Sequence, residues 1–443
     1  MENAVRDWRG RSYLPGPVPA DRTRMFWLAW GAMAAISPLQ YGYAALLAKE
    51  ATGLTLLAVW IACQAAGALP ALHLVRRGRL GVRTSLAAGA ALSFAGLAAA
   101  ALPLSAPGSF VGYALLGGLG AGLVYGVCGE VVSSWYPERP AARVGLITGA
   151  FGYGAVPLLV WAGLAPAATS TAFMVAAVVA LAVIATAARH LRLPPALWWP
   201  EDVDPRSHAL DAARLRTTPE AARQFGPAQA LRTRTLPALA LILTCAGAVS
   251  VFDVIVVAGT GSWGALAVLV ALNGASRSVA VRCSELFGRR RVLAAVLTAL
   301  ATGQVLLATA LTTTPPGSAP AGTALPGSGL PGSGLSGTLP AEPMAAGGPL
   351  LWLGAVAAGL GGGAFYPLLA SLVREFFGVE RAGEIHAVVY SAKALAGAGA
   401  VALALLALST PATALAVAAA LAALPALAIP RLRIPGLPST IPA

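Results

Sequence analysis

The sequence contains little charge. Only 11% of its 443 residues are charged, whereas 57% are hydrophobic, and the mean hydropathy is +0.74. A soluble domain carries roughly 25% charged residues, so this chain cannot cover a surface that faces water. Its apolar residues also form blocks of about 20, the length that crosses a bilayer as a helix. The composition therefore excludes an ordinary soluble protein and predicts one that crosses the membrane many times.

Residues that would support cofactor chemistry or catalysis are also scarce. The four cysteines form no CxxC pair, and the four histidines show no metal-binding spacing, so we expect neither disulfides nor a metal. The glycine-rich stretches follow no strand and precede no Walker lysine, which excludes a nucleotide cradle. No catalytic constellation lies at membrane depth. We therefore predict no cofactor and no enzymatic activity, although a membrane enzyme or sensor remains an alternative.

The net charge of +13 comes almost entirely from arginine, because Lys49 and Lys393 are the only lysines. Most arginines lie in short segments between apolar blocks, where the positive-inside rule places them in cytoplasmic loops. This distribution argues against nucleic-acid binding. It predicts a cell-membrane protein with both termini cytoplasmic. The arginines that carry this prediction are Arg76, Arg77, Arg79, Arg83, Arg139, Arg143, Arg289, Arg290, Arg291, Arg374 and Arg381.

The apolar blocks predict twelve transmembrane helices. Residues 1–24 form a cytoplasmic segment, 25–190 a first bundle of six helices, and 191–235 a cytoplasmic linker. Residues 236–429 form a second bundle, interrupted at 313–348 by a Gly/Ser/Pro tract that predicts a flexible external loop, and 430–443 form a cytoplasmic tail. The expected helices are 25–48, 54–75, 84–104, 108–135, 141–163, 168–190, 236–258, 263–284, 290–312, 350–376, 381–408 and 411–429.

The two halves of the chain resemble each other. The segment 120–125 (GAGLVY) aligns with 361–366 (GGGAFY), and 134–138 aligns with 375–379 at the same offset. Six helices, a linker and six related helices are typical of a duplicated carrier, whose substrate site lies near mid-membrane between the halves. The sequence thus predicts an all-α protein with two pseudo-symmetric bundles.

Two cations lie deep in predicted helices, Arg277 in the eighth and Lys393 in the eleventh. An ionisable group at that depth is costly and indicates function. Neither cation has an acid three or four residues away on its own helix. They either pair with acids on other helices, as a structural ion pair would, or face a central cavity and bind an anion.

Three acids are candidates for a gate or for ion coupling. Glu130, toward the cytoplasmic end of the fourth helix, is interpreted as a partner for an arginine or as a proton carrier. Asp253 lies near the outer end of the seventh helix. It is interpreted as a proton carrier, as a member of an ion pair at the outer rim, or as a solvated residue at the helix end. Glu285 occupies the loop position at which the first half of the chain has Gly78.

Several motifs together resemble the major facilitator superfamily and, within it, the oxalate:formate antiporter family, a relative of the monocarboxylate transporters. The resemblance covers residues 25–429. It depends on 118–126 followed by WYPER at 135–139, on Asn273 and Arg277 followed by SELFGRR at 284–290, and on 377–378 with 392–393. It implies the twelve-helix major facilitator fold and alternating-access exchange of small organic anions, by a protein that we expect to act as a monomer in the lipid bilayer. A carrier of a different, larger solute is the alternative.

The resemblance also implies roles for individual residues. Arg277 and Lys393 occupy the places of the family's carboxylate-binding cations. Gly362 stands where the oxalate carriers have a pocket tryptophan, which predicts a roomier site, and Asn273 replaces an acid of the monocarboxylate transporters. The remaining expected pocket residues are Gln40, Tyr41, Gln64, Tyr125, Tyr153, Tyr366 and Tyr390.

Overall fold

The computed structural model consists of twelve long helices, α1–α12, in two bundles of six, and it describes residues 4–7, 10–211, 221, 223–313 and 347–436. The predicted tail beyond 436 and almost all of the predicted loop 313–348 lie outside these residues. The helices run over 22–46 (α1, in three pieces), Ala51–Arg76 (α2), Val82–Ala101 (α3), Ala106–Trp135 (α4), Pro140–Leu164 (α5), Pro166–His190 (α6), Thr235–Gly259 (α7), Trp263–Phe287 (α8), Arg289–Thr313 (α9), Pro349–Phe377 (α10), Ala382–Ser409 (α11) and Pro411–Arg431 (α12).

Eleven helices of the described chain, α2–α12, are each long and apolar enough to cross a membrane. The first, α1, is divided into the α-helix Arg22–Ala35, a π-helical turn Pro38–Gly42 and a last turn Tyr43–Leu46. Proline lacks the N–H that would continue the α-helical ladder, which accounts for the change of pitch at Pro38. Together with α1, which is not among them, the described chain has twelve long helices, of which eleven qualify as membrane spans.

Two further helices break near their middle, close to the interface between the bundles. Helix α5 is interrupted between Pro140–Tyr153 and Val156–Leu164, and Pro157 follows the break. Helix α11 is interrupted at Ala392, between Ala382–Ser391 and Lys393–Ser409. The breaks in α5 and α11 and the π-helical turn of α1 lie close to the bundle interface, and π-helical turns frequently occur at functional sites.

The two bundles meet along α2 with α11 and along α5 with α8. We call the side of the molecule that carries Arg76, Arg139, Arg289 and Arg374 the arginine-rich side, and the other the arginine-poor side. On the arginine-poor side, the last turn of α1 packs against α7 and Val156–Leu164 packs against α8. The bundles are therefore closed against each other on that side.

A small β-sheet, which the all-α prediction did not include, lies on the arginine-rich side. Val5–Arg6 (β1) pairs antiparallel with Ser12–Gly16 (β2), and β2 pairs parallel with Trp198–Pro200 (β3) from the linker. Trp198 packs against Trp135 at the end of α4, with ring centroids 4.9 Å apart. The sheet forms because the amino-terminal segment and the linker lie side by side in the folded chain. No local pattern in the sequence predicts this proximity.

Candidate functional site

Side chains from six helices of both bundles enclose one small space at the interface between them, which we call the central cage. The space is too narrow in this state to hold a water molecule. The breaks in α1, α5 and α11 lie next to it in the chain. Its lining residues are Gln40, Tyr41, Tyr125, Phe151, Arg277, Tyr366, Tyr390 and Lys393.

Arg277 is only 1% exposed, and its guanidinium reaches from α8 into the first bundle. Nη1 donates to the backbone carbonyl of Thr148 (3.0 Å), and Nη2 donates to the Tyr41 hydroxyl (3.1 Å) and to Oδ1 of Asn273 (3.2 Å). Nε has no partner among the described residues. All of these acceptors are neutral, so the positive charge of Arg277 is solvated by dipoles alone.

Lys393 begins the second piece of α11 and is 2% exposed. Its ammonium donates to Oε1 of Gln40 (3.0 Å), to Oε1 of Gln64 and, at 3.5 Å, to the Tyr390 hydroxyl. Both glutamines belong to the first bundle, and both are buried. Like Arg277, Lys393 therefore has neutral acceptors, most of them across the interface.

The two cations share the same aromatic surroundings. The Arg277 guanidinium carbon lies 5.8 Å from the centroid of Phe151 and 5.0 Å from that of Tyr366, while Lys393 Nζ lies 5.2 and 5.9 Å from the same centroids. The two charges are therefore within about 11 Å of each other. Within the part of the chain that the structure describes, no carboxylate lies within ion-pair distance of either cation. The interhelical ion pair considered from the sequence is absent there in this state.

A second, larger cavity of about 1240 Å³ opens on the arginine-rich side. Tyr125, Tyr366 and Tyr390 line both this cavity and the central cage, so they form the partition between the two. Tyr125 and Tyr390 come from opposite bundles and are stacked, with centroids 5.4 Å apart. The stacked pair is thus the part of the partition at which the two bundles meet.

Three residues expected in the pocket are not among the lining residues of the cage. Gln64 contacts the cage through Lys393, whereas Tyr153 and Gly362 have other contacts. The Tyr153 hydroxyl accepts a hydrogen bond from Trp30 Nε1 (2.9 Å), within the first bundle. Gly362 faces a packed contact, because a β-carbon there would lie 2.9 Å from Ser250 Oγ and 3.1 Å from Asn273 Nδ2. Ser250 and Asn273 therefore pack against Gly362, which is not among the lining residues of the cage in this state.

The three candidate acids have different surroundings. Glu130 is buried near the large cavity, where it accepts from Ser134 Oγ (3.3 Å) and lies 4.0 Å from Arg76. Asp253 is 1% exposed and has no ion pair among the described residues, so it is neither a solvated end residue nor an outer-rim pair. Glu285 pairs with Arg282 of its own helix at 3.7 Å on an exposed surface. Among the described residues, no group of three or more potential ligands could hold a metal ion.

The sequence did not indicate Phe151 and Thr148 as parts of the site, and Asn273 appeared only as a departure from a family pattern. Thr148 and Phe151 are three residues apart and share one face of α5, whereas Tyr153 lies on another. The helical phase could have grouped them, but only once it was known which face of α5 meets α8. Asn273 links Arg277, Tyr41 and Ser250 in one hydrogen-bonded group.

No protein-family model and no curated protein matches the sequence, but solved structures share its fold. The inward-open xylose transporter XylE from E. coli is 13% identical, with a TM-score of 0.64 over 94% of this chain and 97% of that one. The peptide transporter POT is 14% identical, with a TM-score of 0.64 over 94% and 95%. The nucleoside transporter NupG is 12% identical, with a TM-score of 0.60 over 93% and 99%. The chain has the major facilitator fold, which confirms the predicted fold class.

Proposed function

We propose that the protein is a secondary active transporter that exchanges small organic anions, mono- or dicarboxylates, by alternating access. One observation carries this proposal: two buried cations face one cage and have only neutral partners there. The resemblance of the segments around Arg277 and Lys393 to the oxalate:formate antiporter family supports the same substrate class. The fold of the solved transporters is consistent with the transport itself.

The chemistry of the two cations suits a carboxylate. A guanidinium can bind a carboxylate through two parallel hydrogen bonds, and an ammonium supplies a second, compact charge. Even at the upper limit of about 11 Å, with an effective dielectric constant near 20, the two charges repel each other by at least about 1.5 kcal/mol. Desolvation adds several kcal/mol per ion. A dianion would cancel both charges, whereas a monoanion would leave one positive charge to be compensated.

A carboxylate would also change how the bundles are held together. Arg277 and Lys393 belong to the second bundle, and their bonds to Thr148, Tyr41, Gln40 and Gln64 cross to the first. An anion in the cage would take over some of these donors and so replace direct bonds between the bundles. A ligand shifts a conformational equilibrium only through such differential contacts. We therefore expect exchange to be much faster than net transport, because net transport requires the empty carrier to change conformation.

The test is counterflow of radiolabelled carboxylates in proteoliposomes, with Arg277→Gln and Lys393→Gln at matched reconstitution. Each variant leaves one charge unable to neutralise a dianion, and loss of a buried charged partner costs about 2–5 kcal/mol. We expect at least a thirty-fold loss of dianion exchange. Lys393→Arg should also be impaired, because a planar fork does not replace a compact ammonium.

The chain offers a matched control for each cation. Arg83, at the start of α3, and Lys49, the only other lysine, are both exposed and line neither cavity. Arg83→Gln and Lys49→Gln should exchange normally. Near-normal exchange by both Arg277→Gln and Lys393→Gln would refute the anion-carrier role of these residues.

A carrier of a larger solute is the second candidate, favoured by the 1240 Å³ cavity beside the cage. In that case the solute would occupy the cavity and contact the tyrosine partition. Competition distinguishes the two candidates. In an anion carrier, unlabelled small carboxylates should completely inhibit the exchange of a radiolabelled carboxylate. In a carrier of a larger solute, larger neutral or zwitterionic solutes would compete and small carboxylates would not.

We further propose that the protein acts as a monomer in the cell membrane, with the arginine-rich side cytoplasmic, as the arginine distribution predicts. Single cysteines at Ser207 in the linker and Ser328 between α9 and α10, on a cysteine-free background, test the orientation. A membrane-impermeant reagent added to intact cells should label the second and not the first. Labelling of both would refute the proposed topology.

A further inference from the structure

Asp253 and Gln304 form an isolated pair of buried polar side chains. They lie on α7 and α9 and are 1% and 0% exposed. Gln304 Nε2 donates to Asp253 Oδ1 at 2.6 Å. The other two oxygen atoms, Asp253 Oδ2 and Gln304 Oε1, have no hydrogen-bond partner among the described residues.

The pair lacks a donor rather than an acceptor. Both orphan atoms are acceptors if Asp253 is ionised, and burying a carboxylate with one neutral partner is strongly unfavourable. A proton on Oδ2 removes the charge and turns that oxygen into a donor. Acid and amide could then form a cyclic pair, in which Oδ2–H donates to Oε1 while Nε2 donates to Oδ1. A single proton would thus satisfy both orphan atoms.

No described charged group takes the place of that proton. The titratable groups on the helices packed against α7 lie in the central cage or at the arginine-rich ends, except Tyr43, which stacks on Tyr113. None of these groups forms an ion pair or a hydrogen bond with Asp253. The titratable groups concerned are Tyr41 and Tyr43 on α1, Arg277, Arg282, Cys283 and Glu285 on α8, Arg289, Arg290 and Arg291 on α9, Tyr366, Arg374 and Glu375 on α10, Glu384, His386, Tyr390 and Lys393 on α11, and Arg431 on α12.

We propose that Asp253 and Gln304 form a proton-binding site, occupied when the bundles are closed on the arginine-poor side. That closure packs the last turn of α1 against α7, the helix that carries Asp253. Separation of these helices would let water reach the outer half of α7. The carboxyl could then ionise and release its proton on the arginine-poor side.

The site is connected to the cage through α7. Ser250, one helical turn before Asp253, accepts from Asn273 Nδ2 at 3.0 Å, and Asn273 Oδ1 accepts from Arg277 and Tyr41. A movement of α7 that hydrates Asp253 therefore also disturbs the partners of Arg277. This link to transport rests on the proposed function, whereas proton binding by the pair does not.

The experiment that tests the site needs no substrate. Infrared difference spectra of the purified, reconstituted protein between high and neutral pH should contain the C=O stretch of a buried protonated carboxyl, which shifts in deuterated water. Asp253→Asn should abolish this band and remain folded, because an amide can pair with Gln304 in the same way. Glu130→Gln, which removes another buried carboxyl, should leave the band. A spectrum that shows only ionised carboxylate at neutral pH, or a band unchanged in Asp253→Asn, would overturn the proposal.

Two further measurements separate the proton site from other outcomes. Sodium ions should not raise the thermal stability of the wild-type protein relative to Asp253→Asn, and a sodium-specific increase would mean that the pair holds a metal cation instead. The transport rate should depend on pH in the wild type and lose that dependence in Asp253→Asn. Failure of anion exchange in wild-type protein that retains the band would refute the proposed function and leave the proton site intact.

Discussion

The two halves of the molecule contribute different chemistry to the cage. The second bundle supplies both cations, Arg277 and Lys393, while the first supplies the neutral acceptors Gln40, Gln64 and Tyr41. The aligned glycine-rich segments of α4 and α10 end in Tyr125 and Tyr366, so the halves keep similar scaffolds. The difference between the halves shows that the cage joins a cationic surface of the second bundle to a neutral, polar surface of the first. Most of the acceptors of each cation belong to the opposite bundle, and an anion entering the cage would compete with them.

The largest expected effect comes from breaking the backbone contact between the halves. Gly152 on α5 faces the backbone of Gly274 on α8, and a β-carbon there would collide with it. Overpacking of this kind costs about 1–3 kcal/mol, and more where backbone cannot yield. Gly152→Ala should therefore strongly reduce the yield and the thermal stability of the folded protein in detergent. Gly129→Ala is the control, because nothing lies within 4 Å of its β-carbon position. Equal stability of the two variants would contradict the close approach of α5 and α8.

A smaller effect should follow from removing one neutral acceptor. Gln64→Leu deprives the Lys393 ammonium of a cross-bundle partner, at a cost of about 1–3 kcal/mol for a buried polar group left unpaired. The cage should open more often, and Lys393 should become more reactive toward an amine-acetylating reagent. Mass spectrometry can follow this reaction cleanly, because Lys49 is the only other lysine. Gln229→Leu, at an exposed position, should leave the reactivity unchanged. An equally slow reaction of Lys393 in the Gln64 variant would mean that Gln64 does not hold it.

A third substitution separates packing from pocket shape. Gly362→Ala places a methyl group 2.9 Å from Ser250 Oγ, so we expect a loss of stability of about 1 kcal/mol and an unchanged ranking of substrates. Thermal unfolding and competition assays measure the two quantities. A shift in preference toward smaller anions would place Gly362 in the wall of the site, as the resemblance to the oxalate carriers implies.

The smallest effect concerns the amino-terminal strands. Burial alone would raise the pKa of Asp7, but hydrogen bonds from Arg11 and Tyr13 lower it below its usual value. A lowered pKa stabilises the β1–β2 turn at pH values above the unfolded pKa, about 3.9, and this contribution is lost as the pH falls through the folded pKa. Asp7→Asn should therefore speed hydrogen exchange of the Arg11 amide at neutral pH, and the difference from the wild type should shrink below about pH 4. A difference that persists in acid would show that the charge of Asp7 is not its cause.

Much of the site could be predicted from the sequence, because polar groups in apolar helices are conspicuous. Gln40, Gln64, Arg277 and Lys393 interrupt long apolar runs, and the structure brings all four together. Gln304 interrupts α9 in the same way and could have been noticed by the same argument. Tyr153 and Gly362 were placed by analogy with a family, and their positions depend on helix rotation, which a sequence pattern does not specify.

The sequence by itself determined the number of long helices and the identity of the buried cations, because the cost of exposing polar backbone or charge to hydrocarbon applies to every arrangement of the chain. Only the tertiary structure decided which neutral groups face those cations. The breaks in α1, α5 and α11 and the glycine contacts between α5 and α8 set the rotation and approach of the helices. The rotation and approach of the helices place Phe151 rather than Tyr153 in the cage. They also bring Ser250 and Asn273 against Gly362, and Gln304 against Asp253.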